Sequence, residues 1–377
     1  MAEEVLERGD ADMVSMARPF LADSDFVVKA AEGRADEINT CIGCNQACLD
    51  HVFSGQMTSC LVNPRACHET ELTIEPAAQG KRLAVVGAGP AGLAFATTAA
   101  SRGHDVTLFD AADDIGGQFN IAKQIPGKEE FYETLRYFRR QIELTGVKLK
   151  LGTRVSSHDL AGGDLDEVIL ATGIEPRTPV IEGIDHPMVL SYLDVLQKKV
   201  PVGKRVAIIG AGGIGFDVAE YLTHGDESPS TDIAQFMSQW GVDMSLEARG
   251  IEGVQAIVPP SPRKVTLLQR KASKVGAGLG KTTGWIHRLG LEKKGVQMMP
   301  GCDYRRIDDA GLHIAIDGQE RLLEVDNIVV CAGQEPRREL VEGLNGMTVH
   351  LIGGADVAAE LDAKRAIDQG TRLAASL

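Results

Sequence analysis

The stretch from Lys81 to Gly92, KRLAVVGAGPAG, constrains the fold more than any other part of the chain. Its short apolar run, residues 82–86, predicts a buried strand, and the six residues that follow fit the pattern G-x-G-x-x-G. A helix is predicted over residues 91–102, and a second strand over residues 105–109 ends at Asp110. These elements follow one another in the order strand, glycine loop, helix, strand and acidic residue. They form a βαβ unit, which predicts a dinucleotide site. The alternative is a glycine-rich turn in an ordinary α/β domain.

Each glycine of this motif has a separate role. Gly87 permits a tight turn, Gly89 leaves room for a pyrophosphate, and Gly92 lets helix and strand pack closely. The N-terminus of the helix offers free N–H groups and a partial positive charge to the pyrophosphate. Asp110 stands about 20 residues beyond the last glycine, where a carboxylate accepts hydroxyl groups of an adenosine ribose.

A second nucleotide-binding unit interrupts the first. Residues 205–209 predict a strand, and residues 210–215 again fit G-x-G-x-x-G. The glycines of this motif are Gly210, Gly212 and Gly215. The next strand, residues 265–269, is delayed by a polar insertion over residues 224–262.

Arg270 and Lys271 stand at the end of that delayed strand, where such a unit usually carries an acid. An acid there would repel a 2′-phosphate, whereas an arginine accepts one. The pair therefore favours NADPH over NADH, and the alternative is an ordinary solvated basic pair.

Composition and charge argue against several classes of protein. At 377 residues the chain is long enough for two or three domains, and 44% hydrophobic with 24% charged residues is typical of a soluble globular protein. The net charge of −14 argues against nucleic acid or an anionic membrane as partner. No apolar run reaches the roughly 18 residues that a membrane helix needs, and the first residues lack the apolar core of a secretory signal. We therefore expect a cytoplasmic protein.

Four of the seven cysteines crowd into twenty positions. Cys41, Cys44, Cys48 and Cys60 follow the spacing C-x2-C-x3-C-x11-C. Without an export signal, this pattern indicates metal or redox chemistry in a reducing compartment and not a set of disulfides. Three thiolates close together with a fourth beyond them favour a [4Fe–4S] cluster. Structural zinc, which usually takes two separated C-x2-C pairs, is the rival. Cys67 is either a spare ligand or, as we prefer, a buried thiol.

Residues 1 to about 38 predict two short helices around a strand over residues 12–17. One helix–strand–helix cannot bury a core alone, so the segment is interpreted as the end of something larger. A simple N-terminal arm packed on the next domain is the alternative.

The glycine-rich loop Gly278–Thr282, which contains Lys281, does not fit a P-loop, because Val275 stands where that motif needs its first glycine. A flexible loop near the nicotinamide or a substrate is expected instead. Trp285 and His287 have no identifiable partner and are interpreted as packing residues.

Two G-x-G-x-x-G units, the second inserted into the first, resemble the flavoproteins of the glutathione reductase type, which bind FAD in the first unit and NAD(P)H in the second. The preceding cysteine run narrows the resemblance to the C-terminal portion of the bacterial NADPH-dependent 2,4-dienoyl-CoA reductases, relatives of trimethylamine dehydrogenase and the old yellow enzymes. Residues 12–23 are similar to the last strand and phosphate turn of that family's FMN barrel, and residues 41–48 resemble its cluster motif. Residues 116–120 and 351–354 match its FAD domain, so the resemblance covers essentially the whole chain.

The resemblance implies ligands for each cofactor. In the FAD site, the residues facing the pyrophosphate would be Gly87, Gly89, Ala91 and Gly92, with Asp110 at the ribose. Four further FAD contacts would be Gln118, Lys128, the backbone near Val155, and Asp356. The remnant of the FMN phosphate turn would be Met16, Ala17 and Arg18.

The expected fold class is α/β, with two Rossmann-like domains preceded by a cysteine-rich cluster segment and a remnant of a TIM barrel. The predicted domains are 1–38 (barrel remnant), 39–80 (cluster segment), 81–198 with 334–377 (FAD domain) and 199–333 (NAD(P)H domain). The family's catalytic barrel would lie upstream of residue 1. The chain is therefore interpreted as a fragment or a late-start gene product, and the missing barrel domain is its expected partner.

The resemblance implies an electron relay from NADPH through FAD and a [4Fe–4S] cluster to FMN, and from there to an enoyl-CoA substrate, a 2,4-dienoyl-CoA of unsaturated fatty acid oxidation. Two rivals remain. One is a stand-alone NAD(P)H-dependent electron-transfer subunit like the small subunit of glutamate synthase, against which the barrel-like residues 12–23 argue. The other is a non-catalytic redox sensor, against which the completeness of both nucleotide motifs argues.

Overall fold

Helices and parallel strands alternate over most of the chain in the computed structural model, which describes residues 2–225, 228–245, 247, 253–359 and 362–377. The α-helices are α1 (Ala2–Glu7), α2 (Arg18–Ala22), α3 (Phe26–Ala31), α4 (Leu49–Val52), α5 (Pro90–Ser101), α6 (Phe119–Ala122), α7 (Phe131–Thr145), α8 (Ser157–Ala161), α9 (Tyr192–Leu196), α10 (Gly213–Thr223), α11 (Ile233–Trp240), α12 (Gly284–Lys293) and α13 (Ala363–Ser376). The strands are β1 (Arg82–Val86), β2 (Asp105–Phe109), β3 (Lys148–Lys150), β4 (Glu167–Leu170), β5 (Ile174–Pro176), β6 (Val189–Ser191), β7 (Arg205–Ile209), β8 (Lys264–Leu268), β9 (Gln297–Met299), β10 (Asp303–Asp308), β11 (Gly311–Ile316), β12 (Gln319–Leu323), β13 (Asn327–Val330), β14 (Gln334–Pro336) and β15 (Thr348–Leu351).

The first glycine motif follows the central strand of a five-stranded sheet in the order β15–β4–β1–β2–β3, with all neighbours parallel. Both faces of β1 are covered, as its continuous apolar run requires. Leu83 and Val85 pack in a core with α5, α7 and α13, whereas Ala84 packs on the opposite side with Leu160 and Leu344. This sheet therefore holds the first glycine loop on a rigid base.

The second glycine motif follows the central strand of a second parallel sheet, in the order β6–β13–β7–β8–β9. Val206 and Ile208 of β7 pack with helices α9, α10 and α12, and Ala207 and Ile209 pack with the antiparallel sheet β10–β11–β12. The second sheet takes in β6, which lies N-terminal to the predicted domain boundary at residue 199.

The antiparallel pair β5–β14 carries the chain from the first sheet to the second and back. Glu175 lies opposite Glu335 in this pair, so the outgoing and returning segments run side by side. The second unit is thus inserted into the first, and the prediction of an α/β fold with two parallel, Rossmann-like sheets is confirmed.

The N-terminal segment differs from its prediction. Residues 12–17 form no strand. The helix predicted over residues 22–32 is present as α3 (Phe26–Ala31), and a separate short helix, α2, precedes it. A strand needs a neighbour to pair its backbone groups, and no described strand lies beside residues 12–17. Between the two helices, the buried carboxylate of Asp23 accepts hydrogen bonds from the backbone N–H of Asp25 and Asn39 and from the Lys29 ammonium. These bonds favour a turn over a continuous helix.

None of the helices in the described ranges is long and apolar enough to traverse a lipid bilayer.

Candidate functional site

The first glycine loop has the backbone geometry that its motif predicts. Gly87 has a φ of 110°, and a Cβ atom there would lie 2.3 Å from the carbonyl oxygen of Ala171. A Cβ atom on Gly92 would lie 1.9 Å from the carbonyl oxygen of Gly87. At Gly89, by contrast, no atom lies within 4 Å of the Cβ position. The first and last glycines therefore serve the turn and the helix packing, and the middle one borders the open space that a pyrophosphate needs.

Asp110 lies against this loop. Its Oδ2 accepts the backbone N–H of Ala88 at 2.6 Å, and its Oδ1 accepts that of Ala112 at 2.8 Å. A carboxylate has about four acceptor positions, so two bonds leave room for ribose hydroxyls. The side chain of Ala91 is buried, and a Cβ atom on Gly353 would lie 2.8 Å from the Ala91 Cβ. Ala91 can therefore offer a ligand only its backbone at the start of α5.

Gln118 and Val155 both lie near the first loop. Gln118 directly follows Gly117, and a Cβ atom on Gly117 would lie 3.1 Å from the Cα of Gly89. Val155 is half-buried and packs in the apolar cluster that contains Phe109, the last residue of β2.

Asp356 follows a short turn against α5. The side chain of Gln369 links Asp356 to the start of this turn. Its Nε2 donates to Oδ2 of Asp356 at 2.7 Å, and its Oε1 accepts the backbone N–H of Gly353 at 2.7 Å. Asp356 therefore keeps one carboxylate oxygen without a side-chain partner in the described chain, three residues beyond Gly353, which lies against Ala91.

Lys128 contacts the second nucleotide unit. Its ammonium lies 2.6 and 2.8 Å from the two carboxylate oxygens of Asp217, on α10 and two residues beyond Gly215. The two side chains are 30% and 23% exposed. Next to Lys128, the carboxylate of Glu129 accepts the Ser230 hydroxyl at 2.8 Å. Asp217 is not among the residues predicted from the sequence, although an acid in the mostly apolar helix that follows a glycine motif is a usable signal.

The second glycine loop repeats the geometry of the first. Gly210 has a φ of 109°, and its Cβ position lies 2.3 Å from the carbonyl oxygen of Cys331. The Cβ position of Gly215 lies 1.8 Å from the carbonyl oxygen of Gly210, and no atom lies within 4 Å of the Cβ position of Gly212. The same construction predicts the same class of ligand, a dinucleotide with its pyrophosphate at the start of a helix.

Arg270 and Lys271 are exposed at the end of β8. The side chain of Gln269 folds the chain here, donating to the carbonyl oxygens of Lys271 and Ser273 at 2.9 and 2.8 Å. Neither cation forms an ion pair with any residue in the described ranges. Both charges are therefore free to accept a phosphate.

The four clustered cysteines line one small cavity, together with Arg18 and mostly apolar residues. All four are free and half-buried. The backbone N–H of Ser59 donates to the carbonyl oxygen of Ala47 at 2.7 Å, which brings Cys60 beside the Cys41–Cys48 loop. The structure thus brings together the four residues that the spacing predicts as ligands.

The electrostatics of this cavity require a cation if the cysteines are to ionise. Burial raises the pKa of the Cys44 thiol to about 12 and that of Cys60 to about 11, and the neighbouring thiols act in the same direction. The opposing effect comes from backbone hydrogen bonds, at residue 46 for Cys44 and at residues 62 and 63 for Cys60. Four thiolate ligands, partly buried and supported by N–H donors, are a donor set that fits an iron–sulfur cluster.

In the residues that the structure describes, no group of three or more His, Cys, Asp or Glu side chains is arranged to hold a metal ion. The preference for an iron–sulfur cluster over zinc therefore depends on the spacing of the four cysteines in the sequence. Cys67 is exposed and outside the cavity, so the prediction of a buried thiol is wrong. Its backbone has a φ of 63° in an exposed turn, where the chain cannot bury the side chain.

Helix α4, which begins directly after Cys48, contacts both nucleotide units. Oδ1 of Asp50 accepts the backbone N–H of Thr282 at 2.8 Å and its hydroxyl at 2.6 Å. The neighbouring His51 contacts the first nucleotide unit. Its Nε2 lies 3.1 Å from the Lys364 ammonium at the start of α13. The cysteine segment is therefore held by side chains from both units.

The loop Gly278–Thr282 thus has a docking role that its sequence did not reveal, and Lys281 adds to it by donating to the carbonyl oxygen of Phe53. The helix that follows it, α12, buries only Gly284 and Leu291. The residues predicted to pack, Trp285 and His287, are exposed. That prediction is wrong because the packing face of α12 is narrow.

Of the three residues expected at the FMN phosphate turn, Met16 is half-buried, Ala17 is exposed, and Arg18 reaches the cysteine cavity.

Residues 81–363 match the family model described as pyridine nucleotide-disulphide oxidoreductase. The chain belongs to this family. Both glycine loops lie within the matched residues, and the family implies binding of FAD and NAD(P)H.

The chain is also similar to larger flavin oxidoreductases. It is 31% identical over 361 residues to a metal reductase of Desulforamulus reducens, covering 94% of this chain and 53% of the relative. It is 28% identical over 371 residues to a bilirubin reductase of Mediterraneibacter gnavus, covering 98% of this chain and 52% of the relative. Among solved structures, a complex of 2-naphthoyl-CoA reductase with 2-naphthoyl-CoA matches with a TM-score of 0.85 and 31% identity, over 100% of this chain and 52% of that one. The chain thus spans about half the length of these relatives.

Proposed function

We propose that this chain is the NADPH-oxidising, electron-input part of an iron–sulfur flavoenzyme of the 2,4-dienoyl-CoA reductase type. FAD would take a hydride from NADPH, a [4Fe–4S] cluster would pass on the two electrons singly, and FMN in a barrel domain would deliver them to a C=C bond conjugated with a CoA thioester. The dienoyl-CoA gains two electrons and two protons, so each bond reduced consumes one NADPH and one proton.

The observation that carries this proposal is that the cysteine segment is attached to both nucleotide units. Asp50 joins the cysteine segment to the second unit and His51 joins it to the first. A zinc site that merely stabilised the segment would not need contacts to both units. A group that accepts electrons from a flavin has to be held at a fixed distance from it, and contacts with both units would help to hold it there.

In the first unit, the space at Gly89 and the N-terminus of α5 would hold the FAD pyrophosphate, with Asp110 at the ribose. In the second unit, Gly212 and the N-terminus of α10 would hold the pyrophosphate of the nicotinamide cofactor. The unpaired Arg270 and Lys271 would accept the 2′-phosphate, which favours NADPH.

The comparisons support the choice of substrate class. One solved structure that matches the whole length of the chain is that of a 2-naphthoyl-CoA reductase in complex with 2-naphthoyl-CoA, a CoA thioester. A dienoyl-CoA shares with that substrate a C=C bond in conjugation with the thioester carbonyl. The parts that would bind and protonate such a substrate are expected in the barrel domain and not in these 377 residues.

The test compares two electron acceptors with anaerobically purified chain. NADPH should reduce the bound flavin rapidly and support turnover with ferricyanide, because FAD can pass electrons to any accessible acceptor. NADPH should not be consumed with 2,4-dienoyl-CoA unless the barrel domain is added. Iron analysis should give about four irons per chain. Stoichiometric zinc without iron would refute the cluster, and dienoyl-CoA turnover by the 377 residues alone would show that the substrate site lies within them.

The same assay separates the proposal from its two rivals. A stand-alone electron-transfer subunit would show ferricyanide turnover but no gain in dienoyl-CoA turnover when the barrel domain is added. A redox sensor would show slow flavin reduction by NADPH, with no turnover on either acceptor.

A further inference from the structure

Arg18, 23 residues before the first of the clustered cysteines, reaches the cysteine cavity in the folded chain. Arg18 lines the cavity, and its Nη1 donates to the side-chain oxygen of Asn45 at 2.7 Å. Asn45 lies inside the Cys44–Cys48 loop and has a φ of 60°, a left-handed conformation that asparagine adopts more readily than most residues. Its carbonyl oxygen accepts the N–H of Asp50 at 3.0 Å. Arg18 therefore holds the loop that carries two of the four thiols.

Arg18 also brings the only permanent charge to this cavity. The remaining residues that line it are the four cysteines, Asn45 and apolar side chains. Within the described ranges, Arg18 forms no ion pair with a carboxylate. Other arginines of the same segment are neutralised locally, Arg8 by Asp10 and Arg34 by Glu32 and Glu37. An unpaired guanidinium that lines the same cavity as four cysteines is thus a specific feature of this site.

We propose that Arg18 is a positioning residue that raises the reduction potential of the cluster, an inference that rests on the proposed function. A [4Fe–4S] core bound by four thiolates is anionic and becomes more negative by one charge when it gains one electron from the flavin. A fixed cation nearby attracts the reduced form more strongly than the oxidised form, so it favours reduction. The hydrogen bond to Asn45 keeps the guanidinium at the cavity and keeps the ligand loop in place.

The exposure of Arg18 limits how far its charge can change the reduction potential of the cluster. Arg18 is exposed, so water and salt screen its charge and the effect is modest. Loss of the charge should lower the ratio of reduced to oxidised cluster at a fixed solution potential by about three- to tenfold, or about 30–60 mV for a one-electron couple.

The experiment is a redox titration of the cluster followed by electron paramagnetic resonance, in anaerobically purified full chain. Arg18→Gln should lower the midpoint potential, and Arg18→Lys should keep it close to that of the unsubstituted chain. Arg8→Gln is the matched control, because it removes the same charge from the same segment at a locally paired site. It should leave the potential unchanged.

Each outcome decides between the inference and the proposed function. Chain without iron refutes the cluster itself, whereas an intact cluster with the same potential in Arg18→Gln overturns only the role of Arg18. An equal shift in Arg8→Gln would also overturn it, because the effect would then be one of net charge.

If Arg18→Gln does not retain iron, Arg18→His replaces it, since imidazole is charged at low pH and neutral at high pH. Its potential should then fall, relative to the unsubstituted chain, as the pH rises through about 6.5, and a parallel pH dependence would refute the inference.

Discussion

Replacement of Gly212 by alanine tests the central idea that the middle glycine of each loop borders a pyrophosphate site. The Cβ position of Gly212 has no atom within 4 Å, and its backbone has a φ of −84° and a ψ of −171°, which alanine adopts without strain. The free protein should therefore tolerate the substitution. The added methyl group, however, would occupy the space where a pyrophosphate must approach the N-terminus of α10.

The magnitude follows from the bonds that the methyl group blocks. A hydrogen bond to a charged group contributes about 1.5–3 kcal/mol, so loss of one such bond should raise the Kd for NADPH by about 10- to 100-fold. The free energy of unfolding should stay the same or rise by about 0.4–1 kcal/mol, because alanine restricts the unfolded chain. Calorimetric titration of NADPH into FAD-loaded protein gives the first quantity, and thermal unfolding checks the second.

Gly213→Ala is the matched control. Its Cβ position is equally open, and the corresponding position of the first loop already carries a side chain, Pro90. We expect Gly213→Ala to bind NADPH nearly as well as the unsubstituted chain, and both variants should retain FAD. Unchanged affinity in Gly212→Ala, or the same loss in both variants, would refute the assignment of the open space to the pyrophosphate.

Three further substitutions test other parts of the site. Arg270→Ala should raise the KM for NADPH by about 10- to 100-fold in steady-state kinetics and leave that for NADH little changed; an equal rise for both would indicate a structural role. Cys48→Ser should lose iron and keep FAD in metal and flavin analyses, because the first glycine loop is a separate unit; loss of both would show that the cysteine segment supports the FAD site. Asp217→Asn should destabilise the chain in guanidinium chloride, and a double-mutant cycle with Lys128→Met should give a coupling free energy of up to about 1 kcal/mol for this partly exposed pair. Additive effects of the two substitutions would contradict a direct interaction.

The nucleotide units could be predicted from the sequence because their determinants are local. At Gly87 and Gly210 a positive φ and a backbone carbonyl 2.3 Å from the Cβ position leave no choice but glycine. The strand before each motif is buried on both faces and therefore has a continuous apolar sequence. Strand β7 begins and ends at the residues predicted for it. Pattern and structure agree here since each constraint acts within a few residues.

Features that depend on distant parts of the chain could not be predicted. The strand expected over residues 12–17 has no neighbour in the described chain, and sequence alone does not show whether a neighbour exists. Lys128 pairs with Asp217, almost 90 residues away, whereas the family resemblance implied a contact between Lys128 and FAD. The docking loop with Thr282 lies more than 200 residues from Asp50. Only the folded chain brings these groups together.

The contacts between the units suggest why the cysteine segment lies where it does. The Lys128–Asp217 pair, partly exposed, joins the two units directly, and exposed pairs contribute only about 0–1 kcal/mol each. Two apolar side chains just before Lys128, at residues 121 and 125, are buried in the core of the second unit and belong to the same attachment. Asp50, bonded twice to Thr282, adds a second point of attachment through the cysteine segment. Two separated attachments restrict rotation where one does not, so the segment that would carry the electron acceptor also fixes the relative position of the two nucleotide loops.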